Sequence, residues 1–330
     1  MNETSMKLEE IKIAMLGTTG AGKTSYLLGM YAVMQTGMQG FTVAAKDMDV
    51  DLDLTERWEQ LIAVSGEDRW PTPNAATMEH YGFDFSYGFR NVMGFEWLDY
   101  RGLALSDLSS EQDVRDLTNY LSNSGCLFLC VSGEHLLDRV TPNTVRDLKS
   151  DRMNQFIQQY ISNRYKPTVN NPFPIAIVIT KYDLCQHREK QEVIEDIKKL
   201  FQALFTPDSG WLVMICPVSL GTELSNDRDS GSIVPVNVHL PIVFAVYSQI
   251  RAYGIELKER RNQIYENLEA SKKNNPLVKF FKNREIQDKA IQLQDCEVSL
   301  ATVEENMQLL ARELQQVSLF LSGSEVSANV

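Results

Sequence analysis

The sequence predicts an α/β fold: a mostly parallel central sheet with one antiparallel hairpin, helices on both faces, and a C-terminal α-helical, coiled-coil extension. Three observations carry this. First, Cys126–Val131, Ile175–Ile179 and Trp211–Val218 are apolar on both faces and alternate with helix-length segments, the pattern of a parallel sheet covered by helices. Second, Tyr81, Phe83, Phe85 and Tyr87 share one face of His80–Tyr87, and Phe95 and Trp97 share one face of Val92–Leu98. The short link Gly88–Asn91 makes these two runs an antiparallel hairpin. Third, apolar residues in the last third of the chain recur every seven positions.

Taken in order, Ile11–Leu16 is a short apolar strand that ends in a glycine-rich turn, and Ser25–Met34 is a helix. Phe41–Ala45 is a short strand; Leu52–Val64 has helical spacing through Leu54, Trp58, Leu61 and Ile62. Proline and glycine punctuate the chain up to Asn74. The hairpin follows, and then strands alternate with the helices Val145–Tyr160 and Glu189–Phe205. Gly221–Ser232 is a polar loop, and a helix starts near Pro241. Val243, Ile250, Leu257 and Ile264 carry that helix past Tyr253 until Asn274-Asn275-Pro276 breaks it. Beyond the break Ile286, Leu293, Leu300, Met307, Leu314 and Leu321 hold one heptad position, with Cys296, Val303, Leu310 and Val317 three residues on. The residues after Ser322 are expected to be disordered.

The chain has 330 residues, 43% hydrophobic and 23% charged, enough for one large domain and an appendage. A net charge of −12 argues against a broad nucleic-acid face, which needs surplus Lys and Arg. It leaves room for one nucleotide, because a phosphate site is built from backbone N–H groups and a single lysine. Met1–Glu10 lacks an apolar core, and the apolar runs are too short to span a bilayer. Five cysteines without a C-x-x-C pairing and four scattered histidines suit a reducing cytoplasm and no structural metal.

Gly17-Thr18-Thr19-Gly20-Ala21-Gly22-Lys23-Thr24, followed by Ser25, fits G-x-x-x-x-G-K-[ST] between a strand and a helix. Glycines let the backbone curl so that successive N–H groups meet phosphate oxygens, and the helix N-terminus adds partial positive charge. Lys23 is expected to reach the β- and γ-phosphates, and the Thr24 hydroxyl to ligate Mg²⁺. The base is read downstream. Thr180-Lys181-Tyr182-Asp183 matches [NT]-K-x-D after an apolar strand. A carboxylate there accepts from both N1–H and the 2-amino group of guanine; adenine offers neither donor and would leave it unsatisfied. The Lys181 stem would lie along the base. Asp99-Tyr100-Arg101-Gly102 is a D-x-x-G at a strand end, with Asp99 holding Mg²⁺ through water and the Gly102 N–H on the γ-phosphate. Ser219 and Leu220, in a turn after the last parallel strand, could present N–H groups to the guanine O6.

Four motifs in this order, each ending a strand, resemble the Ras-like and translation-factor-related (TRAFAC) P-loop GTPases over about residues 10–252. Within that class the chain is most similar to bacterial double-GTPase-type conserved operon proteins. It shares the G-K-T-S-Y-L helix start, a strand–helix insertion before the first switch, and a loop containing W-P. The resemblance implies binding of GTP and GDP with Mg²⁺, hydrolysis to GDP and phosphate, and a switch threonine on the metal. Thr77 is the choice for that threonine, with Thr72 as the alternative.

One position departs from the pattern. The glutamine that follows D-x-x-G in Ras-like proteins is Leu103 here, which cannot orient water, so turnover is expected to be slow without a partner. Arg101 and Arg69 could supply charge in cis, and each fits a solvated or interface role as well. The implied organisation is a flexible 1–9, a GTPase domain over 10–252 with an insertion at about 36–76, a helical hairpin or coiled coil over 253–322, and a disordered 323–330. The helices are expected to contact a protein partner or a second copy. Leu277-Val278-Lys279-Phe280-Phe281-Lys282, an apolar–basic cluster, also permits a lipid interface, as in dynamin-like GTPases. A GTP-holding scaffold that scarcely hydrolyses is the other reading of Leu103.

Overall fold

The computed structural model describes residues 10–71, 79–99, 111–162, 165–273 and 276–328. Among them, nine strands form one sheet in the order β2-β3-β4-β1-β5-β6-β7-β8-β9. These are β1 (Ile11–Leu16), β2 (Phe41–Ala45), β3 (Glu79–Tyr87), β4 (Arg90–Asp99), β5 (Cys126–Ser132), β6 (Phe173–Thr180), β7 (Trp211–Pro217), β8 (Ser318–Leu321) and β9 (Ser324–Val326). The centre, β4-β1-β5-β6-β7, is parallel. Both flanks, β2-β3-β4 and β7-β8-β9, are antiparallel.

Every residue of β5 and β6 is buried, as expected of strands covered on both faces. One face packs on α1 (Lys23–Thr36), α2 (Met48–Ala63) and the first turns of α7 (Leu240–Lys273). The other packs on α3 (Glu111–Ser122), α4 (Pro142–Leu148), α5 (Ser150–Phe156) and α6 (Lys190–Leu200). The β3–β4 turn is tighter than the sequence suggested: Gly88 and Phe89 both take positive φ, 53° and 63°, the twist a two-residue hairpin needs.

Two expected helices differ in detail. The run expected over Val145–Tyr160 starts at Pro142, behind a Thr141–Thr144 capping box, and is interrupted at Lys149, whose φ is 57°. After α5 it continues as a turn of wider, π-type helix over Ile157–Ser162. α3 follows the 100–110 segment and was not foreseen, although Val114, Leu117 and Leu121 are spaced for a helix.

The C-terminal third opens with the expected long helices. α7 begins inside the core, where Leu240, Val243 and Val246 are fully buried, and runs without interruption to Lys273. α8 (Pro276–Leu314) returns along it. Gly254 lies so close to Val303 that an added Cβ would stand 2.9 Å from its Cγ1. Cys296 Sγ donates to the Leu257 carbonyl at 3.3 Å, and His239 Nε2 stands 3.6 Å from Glu313 Oε2. Later residues of one helix meet earlier residues of the other, so the pair is an antiparallel hairpin. The heptad stripes face each other within the chain: Ile250, Leu257 and Ile264 are buried, as are Cys296, Leu300, Val303, Leu310 and Leu314.

The expected disordered tail is instead sheet. After Leu314 the chain leaves the helix, and β8 pairs with β7 through Val213↔Phe320 and Met214↔Leu319. Leu321 sits on the heptad repeat by coincidence; its neighbours Leu319 and Phe320 are buried, 3% and 2% exposed, as alternate sheet faces. Ser322 and Gly323, at φ 48° and 79°, make the β8–β9 turn. Tyr247 donates its hydroxyl to the Ala328 carbonyl, fastening the returning end to α7. Both ends of the helical hairpin are therefore anchored in the sheet domain.

Candidate functional site

The carboxyl ends of β1, β4, β6 and β7 lie at one edge of the parallel sheet, where open α/β sheets place their ligand sites. The loop after β1 supplies the first part. Gly17 passes so close to β5 that a Cβ there would stand 2.8 Å from the Cys130 Cβ. Gly20 and Gly22 take φ of 79° and 83°, open to glycine and strained for other residues, and the Ala21 N–H bonds the Thr18 carbonyl at 3.2 Å. Gly22 caps α1 without a side-chain bond, so the first N–H groups of the helix are not covered by their own cap. Thr19 and Gly20 are exposed; Thr24 and Ser25 are half-buried on the first turn.

Lys23 folds back over this loop. Its Nζ donates to the Gly17 carbonyl at 2.9 Å and the Thr18 carbonyl at 3.0 Å, and the residue is 8% exposed. Burial pulls the ammonium below its ordinary pKa, opposed by the Cys130 sulfur and the Asp99 carboxylate. Thr24 Oγ1 donates to Asp99 Oδ2 at 2.9 Å. Asp99 stands at the end of β4, in register with Met15 of β1 on one side and Glu79 of β3 on the other. Burial raises its pKa, opposed by Lys23 and by the Thr24 bond.

The second part hangs from β6 and β7. Thr180 Oγ1 donates to the Ala21 carbonyl at 2.6 Å, tying the two parts together. Lys181 takes a φ of 49°, and its Nζ meets Glu134 Oε1 at 2.9 Å. Asp183, 6% exposed, accepts from Ser219 Oγ at 3.0 Å. Burial raises the Asp183 pKa, opposed mainly by that hydroxyl. Ser219 Oγ in turn accepts from the Gly221 N–H at 2.9 Å, and Leu220 packs against α1 at Gly29.

The site residues expected from sequence that fall in described segments therefore lie along one edge. Lys23, Thr24 and Asp99 converge at one end, and Lys181, Asp183, Ser219 and Leu220 at the other. Thr72, Thr77, Arg101, Gly102 and Leu103 lie outside the described residues. Arg69 is taken up elsewhere: it is 5% exposed and donates to three backbone carbonyls, so its guanidinium is not a loose cation.

Glu134 and Cys130 escaped sequence reasoning. Glu134 holds the Lys181 ammonium, and Cys130 Sγ donates to the Ala21 carbonyl at 3.1 Å. Both partners are distant in sequence, and only the β5–β6 and β1–β5 pairings bring them close. The sole local hint was Ser132-Gly133-Glu134 directly after a strand. Among the described residues no cluster of His, Cys, Asp and Glu suits a structural metal, and no helix is long and apolar enough to cross a membrane.

A phosphate-loop helix start, a buried carboxylate at the next parallel strand and a K-x-D after β6 define a P-loop GTP-binding protein. The family model of Double-GTPase 2 matches residues 11–208, more than half the chain, and the chain belongs to that family. The match ends before Ser219 and the helical hairpin. Two solved structures of the translation elongation factor SelB from Methanococcus maripaludis are similar to it. The complex with the GTP analogue GppNHp shares 13% identity over 69% of this chain and 36% of that one, with a TM-score of 0.32. The apo form shares 14% over 73% and 34%, also with a TM-score of 0.32. The chain thus spans about a third of the length of these proteins. No curated protein matches it in sequence.

Proposed function

We propose that this protein is a Mg²⁺-dependent, nucleotide-controlled switch that hydrolyses GTP to GDP and phosphate, acts in the cytoplasm, and engages a protein partner through its helical hairpin. The observation that carries the reading is the Thr24–Asp99 contact at 2.9 Å beside the Lys23 ammonium. A hydroxyl and a buried carboxylate are hard oxygen donors, the set that suits Mg²⁺ next to phosphate. The residues fit the ion: Thr24 and Asp99 would hold it, with Thr77 proposed as a third contact. When bound, Mg²⁺ would neutralise charge developing on the phosphoryl oxygens.

The remaining work falls to the chain itself. Lys23 is already turned over the loop, and exchanging two carbonyls for phosphate oxygens gives it a charged partner. The N–H groups from Gly20 to Ser25, with that of Gly102, would cradle the phosphates. Asp183 would accept two donors from guanine, with Lys181 along the base and Ser219 and Leu220 at O6. Because the heptad stripes of α7 and α8 are buried against each other, a partner would use the outward faces of the hairpin.

Leu103 favours a second reading, a GTP-binding scaffold with negligible hydrolysis. Single-turnover phosphate release with and without Mg²⁺ separates the two. Chromatography of nucleotide released from the denatured protein tests the reading of the base: recovery of adenine nucleotides alone would overturn it.

A further inference from the structure

Arg69 is buried, 5% exposed, and its contacts join two distant stretches. Its Nε donates to the Leu61 carbonyl at 2.8 Å, in the last turn of α2. One terminal nitrogen donates to the Gly231 carbonyl at 2.8 Å and the Asp229 carbonyl at 3.3 Å. The Gly66 N–H also reaches the Asp229 carbonyl, at 3.1 Å. The guanidinium groups of Arg69 and Arg228 both stand over the Trp70 ring, 5.8 and 5.5 Å from its centroid. The 221–232 loop is thereby clasped to the end of the insertion helix.

That loop is the direct continuation of Ser219 and Leu220. Val234 N–H donates to the Leu220 carbonyl at 2.6 Å, and Ser219 and Val236 exchange bonds of 3.2 and 2.8 Å. Gly221 N–H holds the Ser219 hydroxyl, which holds Asp183. Leu220 is wedged beside Gly29 of α1, where Trp58 of α2 also packs; an added Cβ on Gly29 would meet Leu220 Cδ2 at 2.5 Å. Through Arg69, the end of α2 thus braces the loop that follows Ser219.

We infer that Arg69 is a positioning residue for recognition of the base: the insertion before the first switch holds the 221–232 loop, and through it Ser219 and Leu220, in register with Asp183. Burying a guanidinium without a carboxylate is costly, and three carbonyl bonds offset that cost only in this loop conformation. A lysine could serve one of the two segments but not both, because it lacks the planar fork. The inference rests on reading Asp183 as the guanine-binding carboxylate.

The test is competition binding to the full chain, with GDP and with inorganic tripolyphosphate, which engages the phosphate loop without a base. Arg69→Ala should weaken GDP about tenfold, as expected for lost bonds to a charged donor, and leave tripolyphosphate unchanged. Arg69→Lys should fall between the two proteins. Glu223→Ala loosens the same loop from its solvent side, where Glu223 accepts from the N–H and hydroxyl of Ser232 at 3.2 and 2.6 Å. It should give the same selective loss even if Arg69→Ala fails to fold. Equal weakening of both ligands, or no weakening of GDP in either variant, overturns the inference. Wild-type protein that binds ADP as tightly as GDP would instead defeat the reading of Asp183.

Discussion

The hydroxyl of Thr180 donates to the carbonyl of Ala21 at 2.6 Å, across the gap between the phosphate loop and the end of β6. The thiol of Cys130 donates to the same carbonyl at 3.1 Å. Ala21 belongs to the stretch proposed to hold phosphate, and Thr180 opens the stretch proposed to hold the base. One buried bond therefore fixes the span between the two ends of the ligand. Thr180→Val keeps the volume and deletes the donor, while Cys130 still serves Ala21. Calorimetry should show GTP affinity falling by about 1 kcal/mol, with Thr180→Ser close to wild type. A valine variant that binds as tightly as wild type would mean that the bond adds nothing to the span.

Lys23 is the only cation that bonds to the phosphate-loop carbonyls among the described residues, at 2.9 and 3.0 Å from Gly17 and Thr18. Lys23→Ala should abolish measurable GTP binding, since backbone N–H groups alone must then balance the triphosphate charge. The fold should survive, because a buried ammonium held by two carbonyls is costly to keep. Unchanged GTP affinity by calorimetry, with unchanged thermal unfolding, would remove the phosphate-loop assignment.

Asp183 is buried, with Ser219 donating to one carboxylate oxygen and burial raising its pKa. Asp183→Asn presents an amide N–H₂ that suits the O2 carbonyl of xanthine better than the 2-amino group of guanine. Preference should shift from GTP toward XTP by about 2 kcal/mol, the scale of hydrogen bonds to a charged group. Competition between the two triphosphates reads this directly. A variant that loses both equally would place Asp183 in a structural role.

The motif residues were legible because each sits where the chain must do something unusual. Gly20 and Gly22 need positive φ, Lys181 turns at φ 49° directly after an apolar strand, and Asp99 ends a strand that its neighbours bury. The doubly buried β5 and β6 announced a parallel sheet through composition alone. What failed did so for want of tertiary context. Leu314 and Leu321 hold the same heptad position, yet one ends α8 and the other pairs with Leu212 in the sheet. Periodicity cannot separate a strand of four residues from another helical turn; the Ser322-Gly323 dipeptide could have. Arg69 read as a spare cation because its carbonyl partners at Asp229 and Gly231 are remote in sequence.

His239 directly precedes α7, 5% exposed, with neither ring nitrogen hydrogen-bonded, and burial lowers its pKa to about 4. In the unfolded chain it titrates near ~6.5. The folded state prefers the neutral ring, so its contribution is full above the unfolded pKa and is lost as pH falls from about 6.5 towards 4. The loss amounts to roughly 3 kcal/mol at most. Glu313, 3.6 Å away with its own pKa raised by burial, works in the opposite sense at the acidic end. Urea midpoints should therefore drop between pH 7.5 and 5 in wild type and drop less in His239→Leu. Parallel pH profiles for the two proteins would show that another group controls acid stability.

Catalysis is where sequence and structure bear most sharply on each other. Leu103 stands where a water-orienting glutamine is expected, and Arg69 is unavailable because backbone carbonyls occupy it. Intrinsic turnover should be well below the ~1 s⁻¹ low end of ordinary enzymes. Where a glutamine orients the water, losing that side chain abolishes hydrolysis; here Leu103→Ala removes no polar group and should change the rate by no more than about fivefold, roughly 1 kcal/mol of packing. Asp99→Ala should be far worse, about 100-fold or more, because it strips both the Thr24 acceptor and the proposed metal carboxylate. The outward faces of α7 and α8 are where a partner or second copy would dock, and such contact should raise the rate if it inserts the missing group. Phosphate release should be followed across protein concentrations. A rate that climbs with concentration assigns the group to a second copy. A fast rate that ignores concentration assigns it to the domain itself, with Arg101 the first residue to replace. No release above buffer under any condition, with GTP still bound, leaves the scaffold reading in possession.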